Sequence, residues 1–495
     1  MLALQAALSL RLSNTAFQDE ALYLTAGHAE LSRLLHGTPQ PINYAAYFSG
    51  SPQLYPVLAA VVDGRFGLPG ARMLSLSFTL GTTTLLYCFT RRLFDERAGL
   101  AAAALFAVLQ STVVMGSFAT YDAPAMFLLS LTTWIVVRTA QAPAPAVLLA
   151  APVAALAVGV KYAAGLYLPT IVALALLTAW PHHGVKAILR PVLLILGTGC
   201  LLALSMGGTE LLAGMQQTTT NRQHGSDGAL SLLQQSAKWG GLLFLTAVSG
   251  AIAYARRSSL SESPLTTPLG SSGRGWRTLL GLLLCATALL APSYQVYLGT
   301  VVSLFKHVGF GLLFAAPMAG VGLTRLVGAH FRHPHFGIAL WTAALCLGIA
   351  QSDWRFGRWP DSTTMIRTIA SDVNNQGRYL SSTPEVPAYY LRHKAGHRQW
   401  QSGFGMEYTN RNGTRYTGDE AYRAALRDDA FDLIVLDGVT NPRVDRVIAD
   451  AVKSNPHYRL LAHLPFNVSS LRGDSLLPTA PKTKDNGRYR IWVKQ

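Results

Sequence analysis

Near the start of the chain, AFQDEALYLTAGH sets two adjacent carboxylates, Asp19 and Glu20, directly after an apolar run. A further acid, Asp122, stands in FATYDAP between two apolar segments. A carboxylate at such a place can take a proton from a hydroxyl nucleophile, hold a cation, or sit against the positive end of a helix. Cationic groups occupy comparable positions. Arg72 opens an apolar segment, Lys161 interrupts a long one, and Lys306 with His307 lies in SLFKHVGF at a loop-to-segment junction. Tyr23, Tyr44, Tyr47 and Tyr55 are spread over the same early stretch. Each has a plainer reading. The acids can be solvated segment ends, Asp122 a turn residue before Pro124, the cations interfacial side chains, and the tyrosines an aromatic belt.

The elements that must position these groups are mostly apolar. Of 495 residues, 50% are hydrophobic and 13% charged. By count, 30 of the first 352 residues are charged against 36 of the last 143, so the composition breaks near Ser352. The first part reads as membrane and the second as a soluble domain. A spanning helix needs about 20 apolar residues. Spans are expected near 70–90, 98–118, 123–138, 145–160, 163–180, 189–206, 239–255, 278–296, 308–326 and 336–352. Met1–Ser13 would rise only about 20 Å as a helix, and is expected to be the end of a first span that begins upstream, giving about eleven.

The net charge of +16 comes largely from basic clusters in short loops on one side, among them Arg91, Arg92, Arg97, Arg138, Lys186, Arg190, Arg256 and Arg257. The positive-inside rule makes that side cytoplasmic, with the Ser/Gly/Pro-rich 257–275 stretch as a linker there. The loop 14–69, the 119–122 turn and the tail then face outward. Of the ten acids in the membrane part, seven map to that outer side. Two amphipathic segments, 20–35 and 52–66, are expected to lie along the outer surface. Topology accounts for the basic excess, and nucleic acid is not an expected partner. The four cysteines fall inside apolar segments, and the histidines at 182–183 and 330–335 have no metal-ligand spacing.

The tail, 353–495, alternates. FDLIVLDG (Phe431–Gly438) reads as a buried strand, Val444–Val452 as a helix, and Tyr458–Leu464 and Arg488–Val493 as strands. That order predicts a small α/β domain. Asp437 is expected to cap a turn at its strand end.

The motifs QDEALYL, SPQLYPVL, RMLSLSF with LYCFTRRLFDERAGLAAAALFAV, FATYDAPAMFLLSL and GVKYAAGLYLP resemble the membrane glycosyltransferases of the GT-C type. The resemblance is to the group of protein mannosyltransferases and lipid A aminoarabinose transferases, and covers roughly 14–170. It implies a polytopic α-helical protein with an outward C-terminal α/β domain, a polyprenyl-phosphate sugar as donor, and an outer-face active site that inverts the anomeric carbon. Asp19 matches the first acidic position and is assigned as general base. Glu20 would orient it or the acceptor, and Asp122 would position the acceptor or help hold a cation, a divalent one included. Lys161, Lys306, His307 and Arg72 are candidate partners of the donor phosphate, and the four tyrosines candidate liners of a sugar or lipid path. Two positions depart from the aminoarabinose pattern: Leu22 stands where Arg is common, and Ser51 where Lys is common.

The expected protein is therefore a multi-pass glycosyltransferase core, 1–352, with an extracytoplasmic domain, 353–495, in a bacterial plasma membrane. Its acceptor would be a protein, a lipid or a cell-wall glycan. A lipid or sugar transporter would instead show intramembrane charge and matching broken halves. A non-catalytic scaffold would need no clustered outer acids.

Overall fold

The computed structural model describes residues 1–495 except 41, 47, 206–208, 223, 257–272, 358 and 467–486. Tyr47 and most of the expected cytoplasmic linker, Arg257 included, lie outside the described residues. The chain divides into two compact units. The first comprises Met1–Arg11, Tyr44–Tyr55 and Pro69–Ser352; the second comprises Leu12–Asn43, Pro56–Leu68 and Asp353–Gln495.

The first unit is built round the helix Leu304–Val327, in which every residue from Val308 to Leu323 is buried. Small residues let its neighbours approach. A Cβ on Gly250, in the helix Ala229–Ala255, would fall 1.9 Å from the Met318 carbonyl, and one on Gly322 would fall 2.3 Å from that of Thr246. Packing of this small-to-small kind is how helices associate where no water drives them together. Outward-facing residues such as Leu196, Leu245 and Ile338 are exposed and apolar, as a lipid-facing surface requires.

Among the described residues, five helices are long and apolar enough to cross a membrane, or up to seven if each bent pair counts as one span. The expected segments are nearly all helical. The count falls short of eleven because several are short or broken. Asp122–Arg138 has 17 residues, and Glu96–Ala107 meets Gln110–Ser117 at a 63° bend. The helix Tyr55–Leu93 changes direction at Gly67, whose φ of 66° suits glycine, and this is where the chain passes from the second unit back to the first.

The second unit contains the expected α/β domain. Its strands are β1 (Tyr379–Ser381), β2 (Trp400–Ser402), β3 (Glu407–Thr409), β4 (Arg415–Thr417), β5 (Leu433–Leu436), β6 (Tyr458–Pro465) and β7 (Arg488–Lys494). The main sheet runs β2-β1-β5-β7-β6, and β3-β4 form a separate hairpin. β1 is parallel to β2 and β5, while β7 is antiparallel to β5 and β6. All four residues of β5 are buried, as its unbroken apolar run requires. Asp437 does cap a turn: its carboxylate accepts the Val439 and Thr440 amides at 2.8 Å each.

The same unit takes in the two outer-loop helices. Gln18–His36 begins with half of a capping box, the Glu20 Oε2 accepting the Phe17 amide at 2.9 Å. It ends at Gly37, whose φ is 68°. The segment 56–66 packs against it so closely that a Cβ on Gly27 would sit 2.0 Å from the Pro56 carbonyl.

Candidate active site

In the first unit the chemistry gathers at a broken span. The helix Ala151–Val160 stops at Lys161, whose backbone is extended, before the chain turns into the 3-10 segment Tyr162–Tyr167. A break at membrane depth frees backbone groups that must find partners inside the protein. The motif SGSP supplies them. The Ser51 amide donates to the Gly159 carbonyl (2.8 Å), and the Tyr162 amide donates to the Ser49 carbonyl (2.9 Å). Gly50 lies between, and a Cβ there would fall 2.0 Å from the Val160 carbonyl. Two motifs far apart in the chain are thus one piece of structure.

The break delivers Lys161 to Asp122. Lys161 Nζ lies 2.7 Å from Oδ1, and Lys306 Nζ, from the start of the central helix, lies 3.1 Å from Oδ2. Thr120 Oγ1 donates to Oδ2 at 3.1 Å. Asp122 is 0% exposed, Lys161 2% and Lys306 8%. Lys161 Nζ also stands 4.8 Å from the ring centre of Tyr121, whose hydroxyl meets Ser49 Oγ at 2.5 Å. Two buried ammonium groups therefore share one carboxylate, and the trio carries a formal charge of +1.

His307 stands beside it. Gln295 Nε2, which donates to the Val302 carbonyl at 3.2 Å, lies 3.1 Å from His307 Nδ1. An amide nitrogen only donates, so Nδ1 accepts, and a neutral ring carries its proton on Nε2. Two groups here escaped the sequence reading. Arg222 is close enough for its charge to act on His307. The charge pattern expects its loop to face outward, where a basic residue is an exception, and that exception was the available signal. The Tyr162 hydroxyl is buried with no hydrogen-bond partner among the described residues, a position suited to a substrate oxygen. Tyr44 and Tyr55 are buried side chains, Tyr44 packed on Phe48 and Tyr55 bonded to Ser75 Oγ at 2.9 Å. Arg72 is half-buried in the helix beyond Gly67.

In the second unit, Asp19 and Glu20 occupy the first turn of Gln18–His36. Glu20 is buried and accepts the Phe17 amide; Asp19 is half-buried. Tyr23 is on the packed face of that helix. The neighbouring Gln18 amide donates to Glu385 Oε2 at 3.1 Å. Burial raises Glu385 above the usual carboxylate range, and the charge of Asp19 adds to the rise. Among the described residues no three His, Cys, Asp or Glu side chains gather as metal ligands. Asp122, held by two ammonium groups, is not fitted to bind a divalent cation as it stands.

Residues 59–206, which include Asp122 and Lys161, match the family described as dolichyl-phosphate-mannose-protein mannosyltransferase. No curated protein sequence matches the chain. Among solved structures, the oligosaccharyltransferase of Archaeoglobus fulgidus aligns over 96% of this chain and 75% of its own, at 12% identity and a TM-score of 0.52. The fold is that of the GT-C glycosyltransferases. The mycobacterial arabinofuranosyltransferase AftD aligns over the whole chain at 15% identity and a TM-score of 0.50, with 41% of AftD covered. ArnT of Cupriavidus metallidurans aligns over 99% of this chain and 96% of its own, at 14% identity and a TM-score of 0.49. At such identities the likeness is one of fold. The family match covers under a third of the chain, and the apolar helices mark a multi-pass membrane protein.

Proposed function

We propose that this GT-C chain moves a sugar from a polyprenyl-phosphate carrier to an acceptor hydroxyl at the outer face of a bacterial plasma membrane. The observation that carries the reading is the buried trio Lys161–Asp122–Lys306, which brings two ammonium groups together inside the first unit. The family's description names a lipid-phosphate sugar, which supports a donor of that class.

In this reading the acceptor oxygen attacks the anomeric carbon from the side opposite the phosphate. The bond from that carbon to the phosphate oxygen breaks, and its electron pair leaves with the phosphate. The hydroxyl proton passes to Asp19. The products are an inverted glycoside and the polyprenyl phosphate. The phosphate leaves as an anion, so it needs charge neutralisation more than a proton, and Lys161 and Lys306 supply it. Asp122 holds the two lysines, which leaves proton abstraction to Asp19. Arg222 and His307 add to the phosphate site, and the Tyr162 hydroxyl takes a substrate oxygen. The acceptor class is protein, lipid or cell-wall glycan.

The test is transfer by the purified protein in proteoliposomes, with the product's anomeric configuration read by NMR. An α-linked donor should give a β-linked product, and Asp19→Asn should lose roughly 10²–10⁴-fold in rate while still binding polyprenyl phosphate. Retained configuration, or full activity in folded Asp19→Asn, would overturn the assignment.

A further inference from the structure

Asp63 is a buried carboxylate that the proposed chemistry does not use. Its partners come from two segments of the second unit. His28 Nε2 lies 2.6 Å from Oδ2, the Tyr389 hydroxyl donates to Oδ1 at 2.5 Å, and Arg392 Nη2 lies 3.7 Å from Oδ2. The Arg392 guanidinium also stands 5.2 Å from the ring centre of Tyr389. Burial, with Asp63 beside it, pushes the Tyr389 phenol up, so it stays a donor. A carboxylate removed from water needs partners of this kind, and losing one is expensive.

The short helix that provides Tyr389, Glu385–Tyr390, grips the acid-bearing turn as well. The Tyr390 hydroxyl accepts the Ala16 amide at 2.8 Å, and Glu385 accepts from Gln18 at 3.1 Å. Phe17 stacks at 5.2 Å on Trp359. Asp19 therefore follows directly on three residues tied to the C-terminal part of the chain. Asp63 anchors the far side of the same arrangement, through His28 on the acid-bearing helix and Tyr389 on the short one.

We propose that Tyr389 and Asp63 are positioning residues for Asp19. On this view the C-terminal domain fixes where the proton acceptor stands, by clamping the helix Gln18–His36 from outside it. The inference rests on Asp19 as the base. Groups held for reaction are sensitive to small displacements, and about 1 Å can cost 10²-fold.

The experiment compares steady-state transfer by Tyr389→Phe, Asp63→Asn and Tyr390→Phe in the full-length protein. Tyr408→Phe is the control, because it removes an equivalent bond, Tyr408 to Asp428 at 2.8 Å, in the hairpin of the same domain. The first three should lose roughly tenfold to hundredfold in kcat with the donor KM unchanged, and the control should keep wild-type values. In an Asp19→Asn background, Tyr389→Phe should cost nothing more, since nothing remains to position. Unchanged kcat in two folded clamp variants would overturn the proposal. So would an equal loss with and without Asp19, which would mark general loosening. Wild-type activity in Asp19→Asn alone would instead refute the assignment of the base, so the two failures are distinguishable.

Discussion

At the scale of single residues, Asp122 stood out in the sequence as a candidate acid, but its partners did not. Nothing in FATYDAP announces that Lys161 and Lys306, from distant parts of the sequence, both reach its carboxylate. Removing one member of a buried ion group leaves the rest uncompensated, at about 3–5 kcal/mol. Asp122→Asn should therefore unfold at markedly lower temperature than wild type in the same detergent. Lys306→Met, which leaves a balanced Lys161–Asp122 pair, should stay folded and lose affinity for polyprenyl phosphate. Equal thermal stability of Asp122→Asn and wild type would show that the lysines do not depend on that charge. The sequence reading gave Glu20 the task of orienting Asp19 or the acceptor; its bond to the Phe17 amide was not legible, because Phe17 lacks the hydroxyl that signals a capping box.

At the scale of elements, the break after Val160 and the SGSP turn are one unit, and Gly50 permits their contact. Gly50→Val should disrupt both backbone bonds, lowering thermal stability and abolishing transfer; a folded, active Gly50→Val would mean the two segments need not touch. In the sheet, the buried Asp445 accepts from Ser382 Oγ (2.8 Å) and the Gly438 amide (2.6 Å). Burial, reinforced by Asp437, still pushes its carboxyl up to about 6. A carboxyl raised on folding contributes stability that is complete below its unfolded value near 4. That contribution is lost as pH climbs through 6, here roughly 2–3 kcal/mol. The domain's unfolding temperature should therefore fall between pH 4 and 7, and the slope should flatten in Asp445→Asn. The strands and helix around Asp445 were readable from the sequence, because β5 is one apolar run and the following helix has a regular apolar face.

At the scale of the whole molecule, hydropathy located the apolar segments and missed how they break. Length and periodicity carry no record of the 63° bend before Gln110 or of the extended residue at Lys161, since both depend on partners elsewhere in the chain. It also assigned the outer-loop helices to the membrane part, whereas they pack with residues 353–495, through contacts such as Asp63 with Tyr389 that only the fold reveals. The charge pattern predicts an outward tail, and labelling reads the orientation directly. In a cysteine-free background, Ser454→Cys, on an exposed turn of the tail, should react with a membrane-impermeant maleimide added to intact cells. Labelling only after lysis would put the domain inside. The most direct test of the account is a mass balance in proteoliposomes, offering a panel of polyprenyl-phosphate sugars with protein, lipid and glycan acceptors. Sugar appearing on an acceptor should match free polyprenyl phosphate mole for mole, with turnover lost in Lys161→Met. Sugar carried across the bilayer with its lipid link intact, and no glycoside formed, would contradict it.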